Sequence, residues 1–165
     1  MASIKRASAA RGNAASDSAG ALEVLRSAPG DVLVVEGNGS LNEIGRCALW
    51  NGEIENCVHQ NHIIRIRFLD GIDPTYFHFY LNSGDGKNAI TAVASSTSGL
   101  YTLSVSKVQK VAFPVAPRAE QRRIVAKVES LFAQAEAVER EVEVARRRAE
   151  KVDQAILARA FRGEL

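Results

Sequence analysis

The last third of the chain carries the feature that most limits its fold, a heptad repeat of apolar residues between Arg118 and Arg162. No Gly or Pro interrupts this stretch, and residues that favour helix dominate it. The apolar residues recur in alternating steps of four and three, which is the spacing of a coiled-coil seam. The seam consists of Ile124, Val128, Leu131, Ala135, Val138, Val142, Ala145, Ala149, Val152 and Ile156. We therefore predict one long helix within residues 117–165.

A helix of this length needs a partner for its seam. It spans roughly 65 Å at 1.5 Å per residue, whereas a preceding domain of about 85 residues has a diameter of roughly 30 Å. A large part of the helix should therefore extend beyond its own domain, with the seam in water unless another helix covers it. A solvated charged helix is the alternative, but a strict seam of this length favours pairing with another helix.

Composition excludes several classes of protein. Hydrophobic residues make up 46% of the chain, which suffices for a core, and the net charge of only +2 gives no strong overall attraction for nucleic acid. Any DNA binding must therefore come from local patches. Two cysteines, Cys47 and Cys57, do not make a disulfide framework, and no apolar run reaches the length of a membrane span. We expect a reduced, cytoplasmic protein without a secretion signal.

The strand pattern before the helix predicts a small mixed domain. Residues 1–20 hold few apolar side chains, and we expect them to be disordered. Short β-branched or alternating runs predict strands at residues 32–35, 44–50 and 62–68. The last of these alternates isoleucine and phenylalanine with arginine, which predicts a half-buried strand with an arginine-bearing face. Polar, Gly-rich segments between these runs are expected to be loops, at residues 37–40 and 95–99.

Helices in the domain follow from capping residues. Asp73 is a good N-cap, and Pro74 suits the first turn of a helix that should end at residues 82–84. A second helix is predicted over residues 86–93, and Ser104 should cap a short helical turn.

The predicted fold class is α+β. A mixed α/β domain over residues 21–116 is followed by a long coiled-coil helix over residues 117–165. The junction between them lies at Pro114 to Pro117, where two prolines interrupt regular structure.

Catalytic signatures are missing from the sequence. It contains no phosphate-binding Gly loop ending in Lys-Ser/Thr, no Gly-x-Ser-x-Gly elbow and no His-Glu-x-x-His. The Gly37-Asn38-Gly39 stretch is not followed by the rest of a dinucleotide fingerprint, and no Asn-Pro-Pro-Tyr type methyltransferase motif occurs. We therefore expect neither catalytic residues nor a cofactor.

A zinc site is an alternative that the spacing does not favour. Cys57 and His59 are separated by one residue, Cys47 lies ten positions before Cys57, and His62 should face away from His59 on an extended chain. An enzyme that uses the two histidines is a further alternative, without a supporting motif.

Candidate DNA contacts fall in three groups, each with a plainer alternative. Four consecutive side chains at residues 59–62 can donate and accept hydrogen bonds, as reading of base edges requires, although an ordinary turn would look the same. The 37–40 stretch could present backbone N–H groups to phosphate or be a plain loop. Single cationic residues, including Arg67, could contact phosphates or be solvated surface charges. The candidates are Asn38, Ser40, Arg46, His59, Gln60, Asn61, His62, Arg65 and Lys107.

The junction before the long helix resembles that of a known family. Residues 114–125 read Pro-Val-Ala-Pro-Arg-Ala-Glu-Gln-Arg-Arg-Ile-Val. They resemble the Pro-x-x-Pro-x-x-Glu-Gln-x-x-Ile-Val junction of type I restriction-modification specificity (S) subunits, which links a target-recognition domain to a conserved helix. Further similar segments, within a resemblance that covers about residues 25–165, are residues 30–34, 44–46, 59–63 and 156–165.

The resemblance implies a DNA-binding role without catalysis. Members of that family bind double-stranded DNA through two recognition domains, each reading half of a split sequence. Two long helices pack antiparallel and hold the domains at a fixed separation. The same helices dock methyltransferase (M) subunits and, through them, the restriction (R) subunit. The S subunit itself has no catalytic activity.

This chain departs from the family pattern because it has one recognition domain and one helix. The domain is also short, since residues 1–20 contain no counterpart of the family's aromatic-rich opening strands. One interpretation is a half-size subunit that forms a homodimer through antiparallel helices and reads a palindromic split site. The other is a truncated coiled-coil adaptor that pairs with itself or with methyltransferase without competent DNA reading.

Overall fold

A computed structural model describes residues 2–3, 7–11, 26–59, 62–68, 71–97 and 99–164 of the chain. The chain divides into two compact units, residues 1–125 and 126–165. The division therefore lies within the long helix and not at Pro117. The elements are β1 (Ala2–Ser3), β2 (Ala7–Arg11), β3 (Val32–Val35), β4 (Gly37–Asn38), β5 (Cys47–Leu49), β6 (Ile63–Phe68), α1 (Pro74–Asn82), α2 (Gly84–Val93), β7 (Ser95–Thr97), β8 (Leu100–Thr102), α3 (Val105–Val108), β9 (Ala112–Phe113) and α4 (Arg118–Phe161).

The main sheet of the first unit is antiparallel, with strand order β2-β6-β3-β5. Its register sets Val32 opposite Ile66 and Val34 opposite Ile64, and all four side chains are fully buried. Side chains alternate between the two faces of a sheet, so these four residues form one apolar face. The predicted buried strand at residues 32–35 is confirmed.

The α1 helix begins where its capping residues predict. The Asp73 carboxylate accepts hydrogen bonds from the backbone N–H groups of Thr75 and Tyr76, at 2.9 and 3.3 Å, and Pro74 occupies the first turn. These bonds satisfy donors that a helix N-terminus otherwise leaves free. The predicted cap and the predicted end of this helix are both confirmed.

Phe77 on α1 lies at the centre of the core. Its ring centroid is 4.8 Å from that of Phe68 and 5.0 Å from that of Phe113, in edge-to-face arrangements that aromatic rings favour. Leu81 and Ile90, from α1 and α2, complete the layer of buried side chains over the sheet.

Two predictions about irregular segments are wrong in part. Loops were expected at residues 37–40 and 95–99, but residues 37–38 (β4) and 95–97 (β7) both pair with β8 in a small sheet of order β4-β8-β7. Backbone hydrogen bonds to β8 stabilise these strands, although Gly, Asn and Ser have low strand propensity. The predicted strand at residues 44–50 is shorter than expected, because Ile44 is buried in a turn before β5.

The predicted disorder of residues 1–20 is wrong for the two parts that the structure describes. β1 pairs with β9, and β2 pairs with β6 over five residue pairs. The ladder bonds of a sheet join backbone groups, so an Ala- and Ser-rich segment can add to an existing edge. The rest of this stretch lies outside the described residues.

The α4 helix ends in an ordered turn. Gly163 adopts a φ of 72°, and the N–H groups of Gly163 and Glu164 donate to the carbonyls of Ala160 and Arg159, both at 3.0 Å. This is the Schellman pattern, which satisfies the last carbonyls of a helix. Within the described ranges, no helix is long and apolar enough to cross a membrane.

Candidate nucleic-acid interface

The small sheet of the first unit has one face toward the core and one away from it. Tyr101 packs against the core and Leu103 is part of it. Because side chains alternate along a strand, Leu100 and Thr102 lie on the opposite face. Ser95 is the cross-strand partner of Thr102 and shares that face. We call Ser95, Leu100 and Thr102 the outer face of the small sheet.

Two of the predicted DNA contacts flank this outer face. The Lys107 ammonium on α3 donates a hydrogen bond to the Ser95 hydroxyl. On the opposite side, a Cβ at Gly37 would lie 3.7 Å from Nδ1 of His62. His62 is exposed and has a φ of 74°. The imidazole and the ammonium group therefore lie at the two ends of a row that Gly37, Thr102 and Ser95 form across the sheet. Such groups, with the two hydroxyls, can bind phosphate oxygens or base edges.

Asn38 and Ser40 form a turn that satisfies its own donors. Asn38 Oδ1 accepts from the Ser40 N–H at 2.8 Å, and Ser40 Oγ accepts from the Asn42 N–H at 3.2 Å. These are the local bonds by which Asn and Ser stabilise turns. The Ser40 N–H that was predicted to face a phosphate is thus already donated within the chain.

Arg46 lies apart from the outer face and is paired. Its guanidinium donates to the carboxylate of Glu43, and this hydrogen bond lowers the pKa of Glu43 and raises that of Arg46. Both side chains are substantially exposed. The pair is locally neutral, which reduces the attraction of this arginine for a phosphate.

The arginine-bearing face of β6 is not the open surface that the alternation predicted. Arg65 is buried, and its guanidinium donates to the carbonyl of Arg26 at 2.7 Å. Arg67 donates two hydrogen bonds of 2.7 Å to the carboxylate of Asp31, which also accepts from the Ala28 N–H at 2.7 Å. These bonds raise the pKa of Arg67, whereas burial lowers that of Arg65.

Asp31 therefore explains why the Arg65 side chain is buried. A buried carboxylate requires a compensating charge, and the two arginines of β6 supply it. The guanidinium of Arg65 holds residues 26–31 against β6 rather than facing solvent, and its role as a DNA contact stays a prediction.

The polar run at residues 59–62 does not form one exposed surface. His59 is buried, and neither of its ring nitrogens has a hydrogen-bond partner among the described residues. Burial lowers the pKa of His59, and the neighbouring Arg65 lowers it further. His62 is exposed, and Gln60 and Asn61 lie outside the described residues. Of the two histidines that the structure describes in this run, His62 lies beside the outer face and His59 does not.

The described cysteine and histidine positions do not suggest metal or nucleophile chemistry. Among the described residues, no three His, Cys, Asp or Glu side chains are grouped so that they could hold a metal ion. Cys47 lies 3.7 Å from Nδ1 of His78, and Asn82 Nδ2 lies 3.2 Å from the same nitrogen. This resembles a Cys-His-Asn arrangement, but burial raises the pKa of Cys47 to about 12. The thiol therefore stays protonated and is a poor nucleophile at neutral pH.

Gln121 is the main structural residue that sequence reasoning missed. Its side chain is fully buried at the start of α4 and bonds to three backbone groups of the first unit. The resemblance marked Gln121 only as part of a motif, and no periodicity identifies a buried glutamine. By contrast, Thr102 could have been found from the alternation of Leu100, Tyr101, Thr102 and Leu103.

The heptad seam of the second unit is open to solvent. Val138 is 58% exposed and Val142 62% exposed, and Leu131, Val152 and Ile156 are exposed to a similar degree. Exposed apolar surface of this extent is a feature of binding surfaces.

Comparison with known proteins finds relatives of one kind. No protein-family model matches the chain. Over 137 residues, 82% of the chain, it is 35% identical to the EcoKI specificity subunit of Escherichia coli strain K12. Over 139 residues it is 37% identical to the StySPI specificity subunit of Salmonella potsdam. The chain is related to the specificity subunits of type I restriction enzymes. It spans 30% of the length of the EcoKI specificity subunit and 29% of that of the StySPI subunit.

A solved structure of a type I R-M system contains a chain of similar fold. One chain from work on complex assembly and conformational transition of the type I R-M system matches with a TM-score of 0.63 at 26% identity. The match covers 84% of this chain and 32% of that chain. The predicted fold class, a mixed domain followed by a long helix, is confirmed.

Proposed function

We propose that the chain is a non-catalytic DNA sequence-specificity subunit of a type I restriction-modification system that binds one half of a split target. The observation that carries this proposal is the 35% to 37% identity to two specificity subunits across 82% of the chain. The matched stretch runs from the first domain through the Glu120-Gln121 junction into α4. It therefore includes parts of both the domain and the long helix.

The outer face of the small sheet is the part that we propose to contact double-stranded DNA. Lys107 supplies a charge for a phosphate, and His62 with the hydroxyls of Ser95 and Thr102 supplies donors and acceptors. Gln60 and Asn61 directly precede His62 in the sequence, so they remain candidates for base reading.

We propose that α4 has the assembly role. Its exposed seam would pair with the α4 seam of a second copy in an antiparallel homodimer, and the pair would dock methyltransferase subunits and, through them, the restriction subunit. The exposed valines, leucine and isoleucine of the seam support this role, because a partner helix would remove them from water.

A coiled-coil adaptor without DNA reading is a second candidate. It is favoured by the use of Arg46, Arg65 and Arg67 in ion pairs with Glu43 and Asp31. Those pairs leave few uncommitted cations in a domain that must attract a polyanion.

Duplex binding by the chain, assembled with type I methyltransferase subunits, separates the two candidates. A DNA reader should prefer particular sequences, and its affinity should fall as salt rises. Lys107→Ala should reduce the slope of log affinity against log salt by about 1, as loss of one phosphate contact predicts. Lys110→Ala is the matched control, since Lys110 is exposed three residues away. Absence of any sequence preference at every salt concentration would contradict the DNA reader and favour the coiled-coil adaptor.

A further inference from the structure

The middle of α4 carries two adjacent blocks of opposite charge. Residues 136–143 contain four glutamates and one arginine, and residues 144–151 contain three arginines, one lysine and one glutamate. The net charges are therefore −3 and +3, and the blocks meet between Glu143 and Val144. Blocks of this kind decide the direction in which two identical helices pair, because like charges on facing helices repel.

Contacts within the helix do not remove this polarity. Arg147 pairs with Glu143 at 2.8 Å and Arg146 pairs with Glu150 at 3.1 Å, but every one of these side chains is at least half exposed. Such exposed pairs contribute little and break readily when a better partner approaches. The charges beside the seam are therefore available to a second helix.

We infer that α4 pairs with a second copy of itself, antiparallel, about a twofold axis between Glu143 and Val144. This rests on the antiparallel self-association in the proposed function and adds its register. In this arrangement Glu139 of one copy lies on the same side of the seam as Arg146 of the other, and Glu141 on the same side as Arg148, each pair within two residues of the same level. The acidic block of each copy, with a net charge of −3, faces the basic block of the other copy, with a net charge of +3. A parallel dimer in register would instead place each block against its own copy.

The seam packs well in the same register. Ala135 lies level with Val152, Val138 with Ala149 and Val142 with Ala145, so a small residue faces a larger one in each of these layers. Pairing of large with small side chains lets successive layers fill evenly. Since the register is antiparallel, every layer joins an a position to a d position of the heptad.

A shift by one heptad gives the main competing antiparallel register. Its seam packing and its charge pairing are both less favourable. It sets Ala135 opposite Ala145 beside a layer of Val138 and Val142, which leaves a gap next to a crowded layer. It also lays the acidic block almost wholly on its own copy. It does bring Ile124 level with Ile156 and so joins more seam layers, which makes the two registers worth distinguishing by experiment.

The choice of register has a consequence for DNA. Moving the pairing by seven residues changes the axial separation of the two Arg118 positions by about 10 Å at 1.5 Å per residue. That corresponds to about three base pairs at 3.4 Å each. The charge blocks would thus set the axial separation of the two Arg118 positions.

Disulfide trapping between variants that each carry one added cysteine tests the register. Full-length chains carry Cys57→Ser, which leaves the buried Cys47, and each has one added cysteine: Ala135→Cys, Ala145→Cys or Val152→Cys. Variants are mixed in pairs and oxidised, and the Cys57→Ser chain alone gives the background. We expect a covalent dimer from Ala135→Cys with Val152→Cys, whose Cβ atoms would come within bonding range.

The other outcomes identify what fails. Cross-linking of Ala135→Cys with Ala145→Cys would overturn the register in favour of the shifted one. Cross-linking of Ala135→Cys with itself would show a parallel pair and overturn the direction. If no variant cross-links and sedimentation shows monomers, the self-association of the proposed function fails and the register fails with it.

Charge reversal provides a second measurement on correctly folded chains. Glu139→Lys with Glu141→Lys should weaken self-association by about tenfold or more in the inferred register, because the changed block then faces a basic one. Adding Arg146→Glu and Arg148→Glu should restore it. In the shifted or the parallel register, the first pair of substitutions would relieve repulsion between acidic blocks, so stronger association would overturn the inference.

Discussion

Gln121 accepts a hydrogen bond of 2.8 Å from the backbone N–H of Asp73, the residue that caps α1. The same amide donates to the carbonyl of Gly71 at 3.0 Å and to that of Ala116 at 2.7 Å. One fully buried side chain thus joins the start of α1, the turn before it and the residues that lead into α4. Near it, the Tyr76 hydroxyl donates to the carbonyl of Pro114 at 3.0 Å, so α1 holds the junction at two points.

Loss of the Gln121 amide should destabilise the first unit strongly. In Gln121→Leu, one buried N–H and two buried carbonyls lose their partner, and we expect a cost of about 2 to 4 kcal/mol in the free energy of unfolding. Urea unfolding followed by far-UV circular dichroism measures this cost. Gln134→Leu is the control, since Gln134 on the same helix is exposed and bonds only to Ser130. Equal stability of the two variants would contradict a structural role for Gln121.

The buried carboxylate of Asp31 predicts a second large effect. Asp31→Asn keeps the shape of the side chain but leaves Arg65 and Arg67 without a compensating charge, and we expect a loss of about 3 kcal/mol. Glu43→Gln breaks the pair with the exposed Arg46 and should leave thermal stability nearly unchanged. If both variants melt at the same temperature, the ion pair under β6 contributes nothing and this account of Arg65 is wrong.

Two glycines of α2 should respond oppositely to alanine. A Cβ at Gly86 would lie 2.0 Å from the carbonyl oxygen of Tyr80, so Gly86→Ala forces α1 and α2 apart and should cost about 1 to 3 kcal/mol. A Cβ at Gly84 meets no atom within 4 Å, and Gly84→Ala should stabilise by about 0.5 kcal/mol. Thermal melts of the two variants check the contrast. A stable Gly86→Ala protein would show that the two helices do not pack this closely.

Acid should destabilise the domain through two histidines. Burial lowers the pKa values of His59 and His78 below 6.5, so each binds fewer protons in the folded than in the unfolded chain. Their neutral forms favour folding at pH 7.5, and this contribution is lost as pH falls below about 6.5. We expect the melting temperature to drop between pH 7.5 and pH 5.5, and less steeply when His59 and His78 are both replaced by Gln. An unchanged pH profile in that double variant would contradict the buried, neutral state of both rings.

Local signals in the sequence predicted much of the fold. The Asp73 cap, the apolar run at residues 32–35 and the heptad of α4 each depend on neighbours in the chain, so their patterns are readable. β4 and β7 escaped prediction because pairing with β8, and not their own composition, makes them strands. The two strands described near the N-terminus, β1 and β2, depend on distant partners in the same way.

The candidate site was predicted less well than the fold, for an identifiable reason. Alternation correctly separated Arg65 from its apolar neighbours, but it could not show that Asp31 is buried against the same face. The sequence indicates Lys107 and His62 as separate candidates. The small sheet shows that both flank one surface. Sequence reasoning indicates which side chains can bind DNA, whereas tertiary packing decides which are already used.

Selection of bound duplexes from a random-sequence pool tests the central claim most directly. The chain, assembled with type I methyltransferase subunits, would be incubated with the pool, and the recovered DNA sequenced. A specificity subunit with one recognition domain per copy predicts enrichment of one half-site motif, repeated in inverted orientation at a fixed spacing. A recovered pool that is indistinguishable in sequence from the input would contradict the claim that this chain reads DNA.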